Sequence, residues 1–408
     1  MAKKGYNVLI TVFIGGVISM YHIKTLNSIS EVGLERFDPA QYMICGDEYC
    51  LEGILVRSAK MHDYEFPESL LAIARAGAGV NNIPSDRCSE AGIAVFNTPG
   101  ANANAVKELV LCALLMSSRD IAGGIRWVRE QAAAGVEVSE VVEKWKSAFI
   151  GPELYHKSLG IIGLGAIGAL VANMAIKLGM DVYGYDPFLS VDSALRLDRH
   201  IHVVKDVQEL YKKSDYITIH TLYTPDTAKM INAEAFAAMK QGVRLVNLAR
   251  GEIVDDDAVL AALDTGKVAA YVTDFPNNRL LEAPHVIGMP HLGASTPESE
   301  QNCAVMAVDQ VREYLEYGNI TNSVNYPAVN MDPSGVMRLC IIHKNVPAML
   351  ANITALLSRD HVNVENLSNK SRGDYAYTLV DLGTKIGEDV IEDVRNLENV
   401  IRVRAIEW

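Results

Sequence analysis

Three side chains with catalytic potential follow three short apolar runs late in the chain. Asn247-Leu248-Ala249-Arg250-Gly251 follows the run 244–246, Thr273-Asp274 follows 269–272, and Pro290-His291-Leu292-Gly293-Ala294 follows 286–289. If these runs are parallel strands of one sheet, an arginine, an aspartate and a histidine fall at successive carboxyl ends, where open α/β sheets hold their ligands. Each has a plain alternative: a solvated arginine, a turn-capping aspartate, a hydrogen-bonded loop histidine. Together, beside a dinucleotide, they suit hydride transfer to or from a hydroxy acid.

The middle of the chain offers that dinucleotide site. Gly163-Leu164-Gly165-Ala166-Ile167-Gly168 spells G-x-G-x-x-G. The pattern is weak alone, but an apolar run over 159–162 precedes it and a helical run over 169–178 follows. Gly163 permits a tight turn, Gly165 lets backbone approach a pyrophosphate, and Gly168 lets helix and strand pack closely. The helix N-terminus adds unpaired N–H groups and partial positive charge. Asp186 ends the next apolar run, 181–185. A carboxylate there accepts hydrogen bonds from a ribose and repels a 2′-phosphate, so NAD is expected over NADP.

These groups need a scaffold, and its elements can be traced. Strand-length runs at 53–57, 71–75 and 93–97 are bounded by turn formers. Residues 102–120 read as a helix, with Ala105, Val106, Leu109, Val110, Ala113 and Leu114 at helical spacing. Further strands are expected at 159–162, 181–185, 216–220, 244–248, 269–273 and 285–288, separated by helical stretches, which implies a parallel sheet covered on both faces. Residues 329–335 read as a linker. Beyond it the order strand 336–342, helix 347–359, strands 362–369 and 375–382, helix 387–395, strand 400–406 is βαββαβ, a ferredoxin-like module. So small a module gains from pairing with another copy that helps bury its sheet. The expected fold class is α/β: two doubly wound parallel-sheet domains, Rossmann-like or flavodoxin-like, with that module behind them. The expected boundaries are an N-terminal extension over 1–20, a substrate-binding domain over 21–101 and 294–327, a dinucleotide domain over 102–293, and the last module over 336–408.

Composition narrows the partners. A chain of 408 residues with 49% hydrophobic and 21% charged residues is globular rather than disordered. Its net charge of −13 repels nucleic acid and anionic membranes, so neither is an expected partner. A small anion needs only a local cationic pocket. Lys3-Lys4 precedes an apolar run over 6–20 that falls short of the ~20 residues a bilayer requires. No A-x-A-like cleavage site follows it, so Met20 is the expected start and what precedes it an upstream extension. Cysteines 45, 50, 88, 112, 303 and 340 form no C-x-x-C pair. They read as reduced thiols of a cytoplasmic protein, and no metal site is expected.

Taken in order, Arg75-Ala76-Gly77-Ala78-Gly79-Val80, the run 159–168, the stretch 183–187, Asn247-Leu248-Ala249-Arg250-Gly251 and Pro290-His291-Leu292-Gly293-Ala294-Ser295 resemble the D-isomer-specific 2-hydroxyacid dehydrogenases. The tail resembles an ACT regulatory domain through His343-Lys344-Asn345-Val346-Pro347. The resemblance implies NAD-dependent oxidation of 3-phospho-D-glycerate to 3-phosphohydroxypyruvate, the first step of L-serine synthesis, in a homodimer or homotetramer. The alternatives are a glyoxylate or hydroxypyruvate reductase, and a non-catalytic NAD-sensing protein built on the same fold.

The resemblance also distributes roles. Arg250 matches the arginine that holds the substrate carboxylate and carbonyl oxygen, for which a bidentate guanidinium is suited. His291 matches the general base, whose ordinary pKa near neutrality suits proton exchange. Ala166, Ile167, His220, Thr221, Leu222, Ala249 and Gly293 match cofactor contacts, and Asp274 the group on the nicotinamide carboxamide. On the substrate side stand Ala78, Gly79 and Val80 as a backbone anion nest, Asn102, and Arg57-Ser58 for a phosphate. Lys146 is a second phosphate candidate, from a neighbouring subunit. His343, Asn345 and Asn363 match polar ligands of a serine bound at the ACT domain, although the family's usual glycine after Pro347 is here Ala348. The family's acid is a glutamate, and Asn278 stands in its place. An amide orients an imidazole but supplies no charge. The acid is therefore unassigned, with Glu282 a second candidate, and a lowered histidine pKa is expected in the pH–rate profile if Asn278 fills the slot.

Overall fold

The computed structural model describes residues 20–45 and 51–408. The extension before Met20 and Cys50 lie outside them. The chain divides into two compact units, one running to Ala101 and resuming from Glu300 to Trp408, the other Asn102–Ser299.

The first unit opens with five parallel strands: β1 (Tyr21–Leu26), β2 (Tyr42–Cys45), β3 (Gly53–Val56), β4 (Ala72–Arg75) and β5 (Ala94–Phe96), in the order β2-β1-β3-β4-β5. That is the flavodoxin-like doubly wound order. Strands β3 to β5 are buried along almost their whole length, which is why they read as continuous apolar runs rather than alternations. The Pro297–Tyr317 helix returns to this sheet and packs Ala304, Ala307, Val308, Val311 and Leu315 against Ile23, Leu55, Ala74 and Phe96.

The same unit contains four antiparallel strands, β13 (Met337–Lys344), β14 (Val364–Arg372), β15 (Tyr375–Leu382) and β16 (Val400–Glu407), ordered β14-β15-β13-β16. With the Met349–Arg359 and Glu388–Arg395 helices on one face they make the ferredoxin-like arrangement. The opposite face does not wait for a second copy. Cys340, Ile342, Tyr377, Leu379 and Ile406 join the core of the five-stranded sheet. Residues 329–335 are accordingly not a free linker. Val329 and Ile320 exchange backbone hydrogen bonds of 3.1 and 2.8 Å, and Val329 and Met331 are buried. Two apolar side chains in a polar-looking stretch suffice to pin it.

Arginines complete the attachment. Arg404 donates to the carbonyls of Leu315, at 3.0 Å, and Tyr314, near the C-terminus of the Pro297–Tyr317 helix. Helix ends leave carbonyls without internal partners and carry partial negative charge, so guanidinium groups are suited to them.

The second unit holds seven parallel strands: β6 (Ser158–Ile162), β7 (Asp181–Tyr185), β8 (His202–Val203), β9 (Tyr216–Ile219), β10 (Val243–Asn247), β11 (Val268–Thr273) and β12 (Val286–Gly288). Their order, β12-β11-β10-β9-β6-β7-β8, reverses between β6 and β9 and so opens a crevice at their carboxyl ends. The Ala103–Ser118 helix buries Val106, Val110, Ala113 and Leu114 against this sheet's core. Two further helices, Ile121–Ala133 and Val138–Trp145, bury no residue at all. Trp127 meets Trp145 and Phe149 at ring separations of 6.3 and 5.8 Å. Among the described residues no helix is long and apolar enough to cross a membrane.

Candidate active site

The glycine turn sits at the reversal point. Gly163 has φ +91°, and a methyl group there would lie 2.5 Å from the His220 carbonyl oxygen. Only glycine meets both demands. A methyl group on Gly168 would lie 1.9 Å from the Gly163 carbonyl oxygen, so strand and helix touch through it. Gly165 differs: a methyl group there would have no atom within 4 Å. Its side opens on free space at the N-terminus of the Ala166–Lys177 helix, whose first N–H groups have no acceptor within the helix. That is a cradle for an anion. Asp186 accepts from the Leu164 N–H and the Phe188 N–H, both at 2.9 Å, which fixes its carboxylate against the turn and leaves lone pairs for a ribose.

His220 follows β9 and bonds Thr218 Oγ1 at 3.0 Å. Burial pushes its pKa down to about 3, so it lines the crevice as a neutral ring. Thr221 is half-buried, and Leu222 is exposed.

Arg250, Asp274 and His291 stand beyond neighbouring strands. Residues Asn247 and Thr273 are register partners in β10 and β11, and Thr273 pairs with Gly288 of β12. The turn after β10 is built by the buried Asn247, whose Oδ1 accepts from the Ala249 N–H at 3.1 Å and whose Nδ2 donates to the Arg250 carbonyl at 2.9 Å. Phe275 meets both groups: its ring is 4.6 Å from the His291 ring, edge to face, and 5.9 Å from the Arg250 guanidinium. Asp274 is 2% exposed and neither carboxylate oxygen has a hydrogen-bond partner. Burial raises its pKa; the charge of His291, the nearby backbone N–H groups of Asp274 and Gly293, and the Arg250 guanidinium pull the other way. An orphaned buried carboxylate at a crevice is a strong demand for a donor from a ligand. Together, the open Gly165 cradle and this orphan fit a dinucleotide with a carboxamide at its far end.

Asn278 begins the short Asn278–Leu281 helix with its side chain exposed, and Glu282 closes it. Among the described residues neither makes a hydrogen bond to His291, and no carboxylate makes an ion pair with that imidazole. A cavity of about 740 Å³ shares Gly251 and Phe275 with the site, but Asp255, Asp256 and Asp257 line it, so it does not suit an acidic substrate.

In the first unit, Arg57 follows β3 and its Nη2 meets Glu300 Oε1 at 2.6 Å. The expected phosphate cation therefore already has an acidic partner. Ser58 and Ala59 are tied through their N–H groups to Asn27 Oδ1. The N–H groups of Ala78, Gly79 and Val80 make no hydrogen bond among the described residues, as an anion nest requires. Arg75, which sequence reading noted only as part of a motif, bonds the Arg57 carbonyl through Nε at 2.9 Å. In the second unit, the Oδ1 of Asn102 is buried without a partner. Lys146 pairs with Glu143 on its own segment. Phe275 and Glu300 are the neighbours that sequence reading missed, and Asn247, though part of a motif, was given no bracing role; nothing in their types marks these roles until the strand ends are placed.

Each of the tail's expected ligands has a hydrogen-bond partner within the chain. His343 is 2% exposed, with Nδ1 2.8 Å from the Lys344 carbonyl and Nε2 2.9 Å from Thr378 Oγ1. Asn345 donates to the Gly373 carbonyl and Asn363 to Glu365, and both are exposed. Ala348 adopts φ +68°, the left-handed region in which a side chain costs about 1–2 kcal/mol. Ala348→Gly is expected to raise the stability of this unit by up to about 1 kcal/mol, glycine's greater unfolded-state entropy taking back the remainder. Urea unfolding followed by circular dichroism measures it, and a destabilised variant would contradict the argument.

Residues 111–293 match the family model described as D-isomer specific 2-hydroxyacid dehydrogenase, NAD binding domain. A D-3-phosphoglycerate dehydrogenase of Haemophilus influenzae is 30% identical over 94% of this chain and 95% of its own. Those of Methanocaldococcus jannaschii and Bacillus subtilis are 35% and 36% identical over 73% and 70% of this chain. The chain spans only about half the length of these last two relatives, 55% and 53%. Among solved structures, an NAD+-bound 3-phosphoglycerate dehydrogenase of Entamoeba histolytica matches with TM-score 0.60 at 24% identity, covering 75% of this chain and 99% of its own. A glyoxylate reductase matches with TM-score 0.61 at the same identity, covering 75% and 98%. At that identity the likeness is one of fold.

Proposed function

The chain belongs to the D-isomer-specific 2-hydroxyacid dehydrogenases, and we propose that it oxidises 3-phospho-D-glycerate to 3-phosphohydroxypyruvate, opening L-serine synthesis. The observation that carries this reading is the placing of Arg250, Asp274 and His291 beyond three adjacent strands of the sheet that bears the glycine turn. Bound NAD would supply the hydride acceptor. Gly163, Gly165, Gly168 and the N–H groups of Ala166 and Ile167 would hold its pyrophosphate. Asp186 would take the ribose hydroxyls, and His220, Thr221, Leu222, Ala249 and Gly293 would line the crevice, with Asp274 accepting from the carboxamide. Arg250 orients the substrate carboxylate, and His291 takes the hydroxyl proton as the hydride leaves. Residues 102–293 would form the cofactor domain; 21–101 with 294–327 would bind substrate through Arg57, Ser58, the 78–80 nest and Asn102.

The same reading makes the tail, 336–408, an ACT domain that binds serine through Asn345 and Asn363, with His343 bracing the strand. A homodimer or homotetramer would cover the Ile121–Ala133 and Val138–Trp145 helices, which bury nothing and expose Ile125, Val128, Val142 and Trp145. The setting would be cytoplasmic, as reduced thiols suggest.

Gly165→Ala separates fold from cofactor binding. The methyl group fits the chain, so the melting temperature should hold, while NADH affinity falls about tenfold or more as backbone and pyrophosphate are forced apart. Fluorescence titration of NADH reads this. Unchanged affinity would remove the turn from the site.

A second reading, a glyoxylate or hydroxypyruvate reductase, is favoured by the Arg57–Glu300 pair, which occupies the phosphate cation. Arg57→Ala decides. On the main reading, kcat/KM for 3-phosphoglycerate falls about 10–100-fold, the range of a charged hydrogen bond, and that for unphosphorylated D-glycerate changes little. Equal, small losses on both substrates would favour the reductase.

A further inference from the structure

Position 278 lacks the carboxylate that would charge the general base, yet the strand ends bury one nearby. The loop that carries His291 runs beside Asp274. Met289 donates its N–H to the Thr273 carbonyl at 3.0 Å, and a methyl group on Gly293 would lie 3.8 Å from Asp274 Oδ2. His291 sits midway between these two anchors and touches Phe275, the residue after Asp274, edge to face at 4.6 Å. Arg250 stands after β10, Arg279 is paired with Asp257, and Glu282 makes no ion pair with the imidazole.

We propose that Asp274 is the positioning residue that sets the protonation of His291, doing from the end of β11 what a carboxylate at position 278 would do. This rests on the dehydrogenase reading for its use, though not for its test. A buried carboxylate with no well-formed hydrogen bond, and only the Asp274 and Gly293 N–H groups near it, depends for its stability as an anion largely on neighbouring positive charge. When His291 takes the hydroxyl proton, the new imidazolium provides that charge. The carboxylate takes no proton itself; it favours the charged ring over the neutral one. Its four lone-pair sites leave room for a carboxamide donor at the same time.

The test is a titration of the full chain without substrate or cofactor, following histidine C–H resonances by NMR, with the His291 signal assigned by its loss in His291→Asn. Asp274→Asn removes a buried unpaired charge, so it is expected to fold. It should lower the His291 midpoint by about one pH unit, a tenfold change in proton affinity. Asp274→Ser, smaller and also neutral, should give the same drop. Glu282→Gln and Asn278→Ala should leave the midpoint in place. An unmoved midpoint in both Asp274 variants overturns the proposal, as does an equal drop in Glu282→Gln. Failure of the enzyme to oxidise any D-2-hydroxy acid would sink the functional reading instead, and would leave this titration standing.

Discussion

His291→Asn is expected to lower kcat about 10²–10⁴-fold in both directions, the usual worth of a positioned general acid–base. The side chain is exposed, so nothing in the core depends on it. The loss should therefore appear with NADH affinity and melting temperature nearly unchanged. Asparagine keeps polarity at the position but cannot take a proton near neutrality. Oxidation needs the ring neutral and reduction needs it protonated, so the wild-type pH profiles of the two directions should slope oppositely across its titration. In the variant both slopes should flatten. Steady-state rates from pH 6 to 10 measure this, and a variant that keeps more than a tenth of the activity would take His291 out of the mechanism.

Why the site could be read from the residues, and only so far, is a matter of what local pattern encodes. Strand β6, the glycine turn and Asp186 lie within one βαβ stretch, so spacing alone ties them together. The same holds for the tail, where every strand and helix fell within a few residues of the expected place. Arg250, Asp274 and His291 are joined by sheet order rather than by sequence distance. They could be placed at strand ends, but not given neighbours. Phe275 against both His291 and Arg250, Asn247 bracing the turn, and Glu300 on Arg57 are consequences of tertiary packing. The residues of β1 and β2 alternate imperfectly and so carry a weak strand signal; β2 leaves Met43 and Ile44 exposed. The helices Ile121–Ala133 and Val138–Trp145 escaped for a related reason. Their apolar residues face no core of this chain, so a reading that looks for buried faces passes over them. The tail's sheet was expected to need a second copy because a 73-residue module looks short of core; the Pro297–Tyr317 helix meets that need from within.

The largest stability effect is expected at a pair that no motif announces. Arg338 and Asp381 are both 0% exposed and meet bidentately, Nε to Oδ1 at 2.6 Å and Nη2 to Oδ2 at 2.8 Å. Nη1 reaches the Tyr317 carbonyl at 2.7 Å and Asn319 Oδ1 at 3.4 Å, and Nη2 the Asp332 carbonyl at 3.2 Å. All five guanidinium protons are thus used. The second Asp381 oxygen also accepts from the Ser334 N–H and hydroxyl. One network therefore ties β13, β15, the connecting segment and the end of the Pro297–Tyr317 helix. Removing one partner leaves a buried charge uncompensated, which costs about 3–5 kcal/mol. Asp381→Asn should lose that much in urea unfolding of the unit that holds it. Arg338→Met with Asp381→Leu should lose clearly less, because an apolar pair strands no charge, although the Tyr317 carbonyl and the Ser334 N–H lose their donor and acceptor. If the double variant is as unstable as the single one, the backbone groups rather than the ion pair hold the tail's sheet to the helix.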